Sequence, residues 1–564
     1  MKRKILQIFL GMILVLTACG CGKEEKENGF YVDEWEEEEE IKEQTEDGKK
    51  PREETKEDEN FDEETEESSK KMSSTPLQIQ IGNRSDQELI EDGSGTYGYT
   101  TLCSVSWQNL ILDEASTKKY PQLAKALEEK NRQMEEAYLS IKEELLVSAE
   151  EIYEYGSEYY TPLDSSSAYC VERADEYILS VRENISDYWG GAHGMYGSIG
   201  MNYDVNTGEI LLLTDVLTGI EGLPAILSEK IMAQYPDESA VFSTLKEDLD
   251  NYTQENYSWT MGYEGITFYF QPYEIASYAM GLIKTTIGFD EMPELFQKQY
   301  MQTPKDGYCI ALSMYQNFEL DLDIEDGEKN NLWLTEYYDS AEEIEYGMKR
   351  LSITLDDMTY VENDVYGYEM KPYLVCIGNA ENKKYYLYVE TIAENDYETL
   401  SVYDFNHGKI VLNGRMNGTG FAGIWKENEG EYGVYYENVI QNPKKIQLMS
   451  KLDILGSWWG VKDYQVSEKD GMPQSDSEFY EISGTTQATI SKISLEVTML
   501  PLRNKKELPA GTNFYAVRTD GETYVDWRMD DGKECRIYVE RDDWNLKING
   551  IDEHECFEML WYAG

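Results

Sequence analysis

PQLAKALEEKNRQMEEAYLSIKEELLVSAEEIY, residues 121–153, is the stretch on which the fold reading turns. Leu123, Leu127, Met134, Tyr138, Ile141, Leu145 and Ile152 fall on one apolar stripe, which predicts a single long helix from about Pro121 to Tyr153. On either side the period changes to that of strands. Leu102, Ser104, Ser106 and Leu110 alternate, and Ala168–Val181 contains a nearly continuous apolar or small run at Tyr177–Val181. Shorter helices are expected near Leu223–Ala233 and Ala240–Tyr252. Ile266–Ile287 reads mostly as strand, with Pro272 marking a turn or an edge. Strands flanking a few helices make residues 77–304 an α+β domain.

Beyond about Cys309 the helical period fades. Arg350–Leu355, Tyr385–Glu390, Thr399–Asp404 and Lys409–Leu412 are strand candidates, the last two joined at Asn406-His407-Gly408. This spacing predicts a β-rich domain over 305–475: a sandwich, a barrel or part of a propeller. Residues 476–564 read as a small final β module, with turns at Gly511-Thr512, Asp520-Gly521 and Asp531-Gly532. The fold class is therefore multidomain, α+β first and β-rich after.

Upstream the composition changes abruptly. Met1-Lys2-Arg3-Lys4 precedes the apolar run Ile5–Leu16, which ends in Leu16-Thr17-Ala18-Cys19. Twelve apolar residues are too few to span a bilayer, which takes about 20. The layout is that of an export signal, and with Cys in the cleavage position it resembles a bacterial lipoprotein signal. The resemblance implies removal of residues 1–18 and a diacylglycerol thioether on Cys19, with Cys21 as an alternative. Residues 19–76 are Glu-, Lys- and Thr-rich, including Glu36–Glu40, and read as a disordered acidic tether interrupted by Phe30, Tyr31 and Trp35. The expected location is the outer face of the membrane, held by lipid.

The formal charge of −60 argues against nucleic acid and anionic lipid as partners and favours a basic one, or serves solubility alone. Tyr is abundant, 45 against 14 Phe, as suits half-buried strands and wet binding surfaces. Cys103, Cys170, Cys309, Cys376, Cys535 and Cys556 are scattered singly. Cys103–Cys170 and Cys535–Cys556 are the pairs to test, with free buried thiols the alternative. With three His and no ligand spacing, no metal or other cofactor is expected.

Two motifs carry a family likeness. The first is Tyr188-Trp189-Gly190-Gly191-Ala192-His193-Gly194, followed by Asn202–Glu209 and Leu211–Leu217. The second is Gly265–Ala276 with Tyr278 and Gly281. In this order, after a long helix, residues 77–300 resemble the extracellular domain of RsiV-type anti-sigma factors, a domain also appended to PdaC-type peptidoglycan deacetylases. The resemblance implies recognition of a lysozyme or of peptidoglycan. No transmembrane helix, sigma-binding segment or deacetylase domain accompanies it. From the residues alone, Gly190-Gly191 permits a tight turn that His193 fixes, and Asp204–Gly208 forms a hairpin turn. If a groove exists, Trp189, His193, Tyr273 and Tyr278 are its expected ligand-binding residues.

No nucleophile elbow, zinc-protease helix, phosphate loop or dinucleotide fingerprint is present. His554 and Cys556, two apart, are expected on one face of a strand. Asp321, Asp323, Glu325 and Asp326 before Gly327 lack the spacing of a calcium loop, and alternation with Phe318, Leu320, Leu322 and Ile324 makes them the acidic face of a strand. No catalytic residue is assigned. Three readings stay open: a non-enzymatic surface lipoprotein binding an envelope glycan or a basic protein, a wall hydrolase or deacetylase with its site in the β-rich half, and a structural envelope protein. The bacterium would be of Gram-positive type.

Overall fold

In a computed structural model, residues 75–562 are described, apart from residues 97, 157–159, 237–239, 321, 323–328, 379–382, 395–396, 407, 427–432, 483–486 and 543–544. Cys19, Cys21, the signal-like run, the acidic tether, His407 and most of the acidic run at 321–327 lie outside the described residues.

A long antiparallel pair comes first, β1 (Ile79–Thr96) and β2 (Tyr99–Leu112). On β2, Cys103, Val105 and Trp107 are buried while Ser106 between them is exposed. The buried side meets the helix Pro121–Gly156, whose Leu123, Leu127, Met134, Tyr138, Leu145 and Ala149 are buried, as the stripe predicts. Ile141 packs part-buried, and Ile152 is exposed, so the buried face stops one turn short. At about 1.5–3 kcal/mol per large apolar side chain, this face fixes the helix to the sheet more strongly than helix propensity does.

The helix is a crossover that returns the chain parallel to β2 as β3 (Leu163–Ala174), followed by the meander β4 (Ile178–Tyr188) and β5 (Met195–Asp204). The strands expected over Ala168–Val181 are the end of β3 and the start of β4, parted where Asp175 Oδ1 accepts from the amides of Tyr177 and Ile178. Asp204–Gly208 turns as expected: Asp204 Oδ1 accepts from Asn206 N and Thr207 N, and Gly208 has φ +72°.

Residues 212–300 build a second core. The helix Leu223–Gln234 packs Leu227 and Ile231 against a three-stranded sheet of Ser258–Met261, Gly265–Phe270 and Ile283–Gly288. Ile266–Ile287 is strand at both ends, with turns from Pro272 to Gly281 between, and the helix expected over Ala240–Tyr252 shortens to Leu245–Asp250.

From Gly307 onward the chain is almost all strand. A five-stranded sheet runs from Gly307–Ala311 to Val411–Asn417, a four-stranded one covers Asn317–Val361, and an eleven-stranded sheet extends from Thr419 to Tyr538. All are open; among the described residues no barrel closes. Two pairings cross the expected domain limits. Val434–Val439 pairs with β1, so the first sheet draws strands from both sides of residue 305. Ser457–Val466 pairs with Tyr480–Ile482 across residue 476. All six described cysteines are buried free thiols. His554 and Cys556 share no strand: they sit on the short helix Glu553–Cys556, started by Asp552 Oδ1 accepting from His554 N.

Candidate functional site

Strand register places one hydroxyl-bearing residue per strand in a row across the solvent face of the large sheet. Ser85 on β1 lies opposite Ser106 on β2, Ser106 opposite Ser166 on β3, Ser166 opposite Ser186 on β4, and Ser186 opposite Tyr196 on β5. Ser85, Ser106, Ser186 and Tyr196 are exposed. Four inter-strand steps of about 4.8 Å make the row roughly 19 Å long. Beside it, Asn184 pairs with Ala168 and Ser198, and Asn83 with Gln108, so the floor stays polar.

Aromatic residues rise around this floor. Tyr315 and Trp333, 55% and 39% exposed, come from the segment leading into the four-stranded sheet and from its strand Asn330–Tyr337. Tyr235, Met280 and Gly281 come from residues 212–300. Together they bound an open groove of about 1030 Å³. Lys284 closes one part of it, donating from Nζ to Asn317 O at 2.5 Å. Burial, helped by the Arg182 guanidinium, pushes its ammonium down to about 8.

Three of the four residues expected at a groove cluster behind Tyr196, which lines the groove, though none of the three lines it itself. The His193 ring stacks on Tyr278 at 4.2 Å, Tyr273 lies 5.5 Å from Tyr278, and Tyr278 meets Tyr196 edge-on at 5.7 Å. Gly194 O joins them, accepting from Tyr278 OH (2.8 Å) and from His193 Nδ1 (2.9 Å), so His193 fixes its turn with Nδ1 protonated. Gly190 and Gly191, at φ +85° and +106°, supply that turn. Trp189 does not join: it packs part-buried with Tyr188 and Tyr160 against the core under the long helix. Tyr196 and the serines were missed because no local pattern marks them; strand register alone aligns them.

The second motif is pinned to β5 by Gln271. Its Oε1 accepts from Ser198 N (2.8 Å) and its Nε2 donates to Ser198 O (2.7 Å). Nearby, Ser258 Oγ accepts from Gly200 N and donates to Ser198 O, both at 3.0 Å. These bonds hold residues 212–300 as a wall beside the serine row.

Residues 212–290 match a family model described as "Protein of unknown function (DUF3298)". No curated protein matches. Among solved structures the chain is similar to a DUF3298 family member from Bacteroides fragilis NCTC 9343, at 20% identity over 40% of this chain and 96% of that one, TM-score 0.31. It is also similar to a DUF3298 family protein from Pseudomonas aeruginosa PAO1, at 17% identity over 40% and 98%, TM-score 0.27. A DUF3298 domain thus occupies residues 212–290, the part of the chain that forms one wall of the groove.

Proposed function

We propose that this protein is a non-enzymatic surface lipoprotein whose groove holds a neutral glycan of the cell envelope. The observation that supports this reading most is the row Ser85–Ser106–Ser166–Ser186–Tyr196 set between Tyr315, Trp333 and Tyr235. Sugar rings offer apolar faces to aromatic side chains and hydroxyls to donors and acceptors, and a shallow groove with polar floor and aromatic walls suits both. The row would accommodate several sugar units. A chain of charge −60 repels an anionic polymer, which favours a neutral one. Lipid on Cys19 would hold the protein at the outer face of the membrane.

Co-sedimentation of the full chain with purified peptidoglycan and with neutral polysaccharides tests the reading. Saturable binding that falls at least tenfold in Trp333→Ala supports it; no saturable binding to any of them overturns it.

The acidity of the chain favours a second reading, the RsiV-type recognition of a basic protein such as a lysozyme. Electrostatic capture would weaken steeply between about 0.05 and 0.5 M salt, and salt-independent binding would rule it out. A wall hydrolase or deacetylase with its site in the β-rich half, and a purely structural role, are the remaining readings.

A further inference from the structure

The outer face of the C-terminal sheet carries a ladder of alternating charge. Register sets Glu481, Arg518, Asp526 and Arg536 side by side on four adjacent strands. Asp526 is fully buried beneath the two arginines. Its Oδ2 accepts from Arg518 Nε (2.7 Å) and Arg536 Nη2 (3.0 Å), and its Oδ1 from Arg536 Nε (2.6 Å). Glu534 takes Arg518 Nη2 at 2.9 Å. The guanidinium planes rest on rings, Arg536 over Tyr524 at 3.4 Å and Arg518 over Phe479 at 5.3 Å. Two carboxylates and two rings therefore hold two guanidiniums in fixed orientation. Nη1 of neither bonds a carboxylate among the described residues.

These arginines line a cavity of about 730 Å³. Arg503 enters it from the turn after Met499, held at φ +54°, exposed, and in no ion pair with a described residue. Lys533 lines it too but pairs with Asp531 of its own turn at 2.6 Å. The acids facing the cavity are Glu478, Asp520 and Glu534. Asp520 is occupied, Oδ1 accepting from the amides of residues 522–524. Four of the twelve lining residues are basic and three acidic, in a chain with 50 basic and 110 acidic residues.

We propose that this cavity is a binding site for a tetrahedral oxyanion, the phosphate group of a small phosphorylated ligand, held by Arg503, Arg518 and Arg536. A planar carboxylate has two oxygens and suits one guanidinium fork; a phosphate has acceptors enough to bridge three separate guanidiniums. The cavity is larger than the phosphate alone, so the group is a substituent on a molecule of sugar-phosphate size. This site is remote in sequence from the groove and independent of the glycan reading.

The test is isothermal titration of the full chain with inorganic phosphate, glycerol 3-phosphate, glucose 6-phosphate and acetate at constant ionic strength. Arg518 and Arg536 cannot be removed cleanly, because either loss exposes buried Asp526. Arg503→Glu is the informative variant, with Lys533→Ala as the control. Saturable binding of a phosphate compound, tighter than acetate and weakened at least tenfold by Arg503→Glu but under threefold by Lys533→Ala, is the expected result. A sugar phosphate binding better than inorganic phosphate identifies the larger ligand, and the reverse order overturns that part. Equal response to acetate and phosphate, or binding unchanged in Arg503→Glu, overturns the site and leaves the ladder a structural ion-pair network only.

Discussion

Replacing Gly200 by alanine tests how the DUF3298 domain is fastened to the large sheet. A Cβ at Gly200 would lie 1.7 Å from Trp259 O and 2.4 Å from its carbonyl carbon. The strand Ser258–Met261 would have to retreat from β5 by more than about 1.5 Å to reach ordinary contact. Four hydrogen bonds cross that seam: Gly200 N to Ser258 Oγ and Ser258 Oγ to Ser198 O, both 3.0 Å, and Asn202 Nδ2 to Trp259 O and Met261 N to Ser180 Oγ, both 2.8 Å. At about 1 kcal/mol net for each bond, losing them costs about 4 kcal/mol, a large part of the roughly 5–15 kcal/mol that stabilises a folded protein. Gly222→Ala is the control, since the nearest atom to its added Cβ is Ile226 Cδ1 at 4.0 Å. Urea unfolding followed by tryptophan fluorescence should show Gly200→Ala destabilised by about 3–4 kcal/mol, and Gly222→Ala changed by less than about 0.5 kcal/mol. Hydrogen exchange should rise first at residues 258–261. An unchanged midpoint for Gly200→Ala would refute the seam as an anchoring contact.

Ser106→Leu should block the groove floor without disturbing the fold, because Ser106 is exposed; glycan binding lost at an unchanged melting temperature is the expected result. Burial, with Glu437 and Glu398 close by, outweighs the attraction of Lys371 and pushes the Glu390 carboxyl up to about 8. The folded state then binds a proton that the unfolded state has released above about 4.5, so stability should fall as pH rises from about 5 to 8. Glu390→Gln should flatten that slope in denaturation at several pH values. Burial raises the Cys170 and Cys376 thiols to about 12, and all six described cysteines are shielded; a thiol reagent should reach them only after denaturant is added. Labelled fatty acid should enter the exported protein and be lost in Cys19→Ala.

The long helix was legible because its period is sustained for nine turns and Pro121 fits the first turn. The α+β and β-rich halves followed from the change of period after Cys309. The serine row was not legible: Ser85, Ser106, Ser166 and Ser186 are distant in sequence, and a shift of one residue in any strand would turn its serine to the other face. Trp189 misled for a related reason. It follows the last residue of β4, where strand parity no longer fixes a face, and its ring went to the helix side. Asp552 before Glu553-His554-Glu555 is a helix-start signal that outweighed the strand reading of His554 and Cys556. The pairing of β1 with Val434–Val439 across residue 305 was not legible, because pairing between residues 360 apart leaves no local trace.

That pairing, Ile79 with Val439 and Gly82 with Tyr436, governs when the protein can become itself. A chain emerging from its N-terminus offers β1 and β2 early, yet the outer edge of β1 has no neighbour until more than three hundred further residues have arrived. Through that interval β1 presents unpaired amides and carbonyls to any passing strand, the template on which aggregates grow. Closure also carries the slow kinetics of contacts distant along the chain. Truncation near residue 304 would make the interval permanent, so an N-terminal half produced alone should precipitate or pair with its own copies.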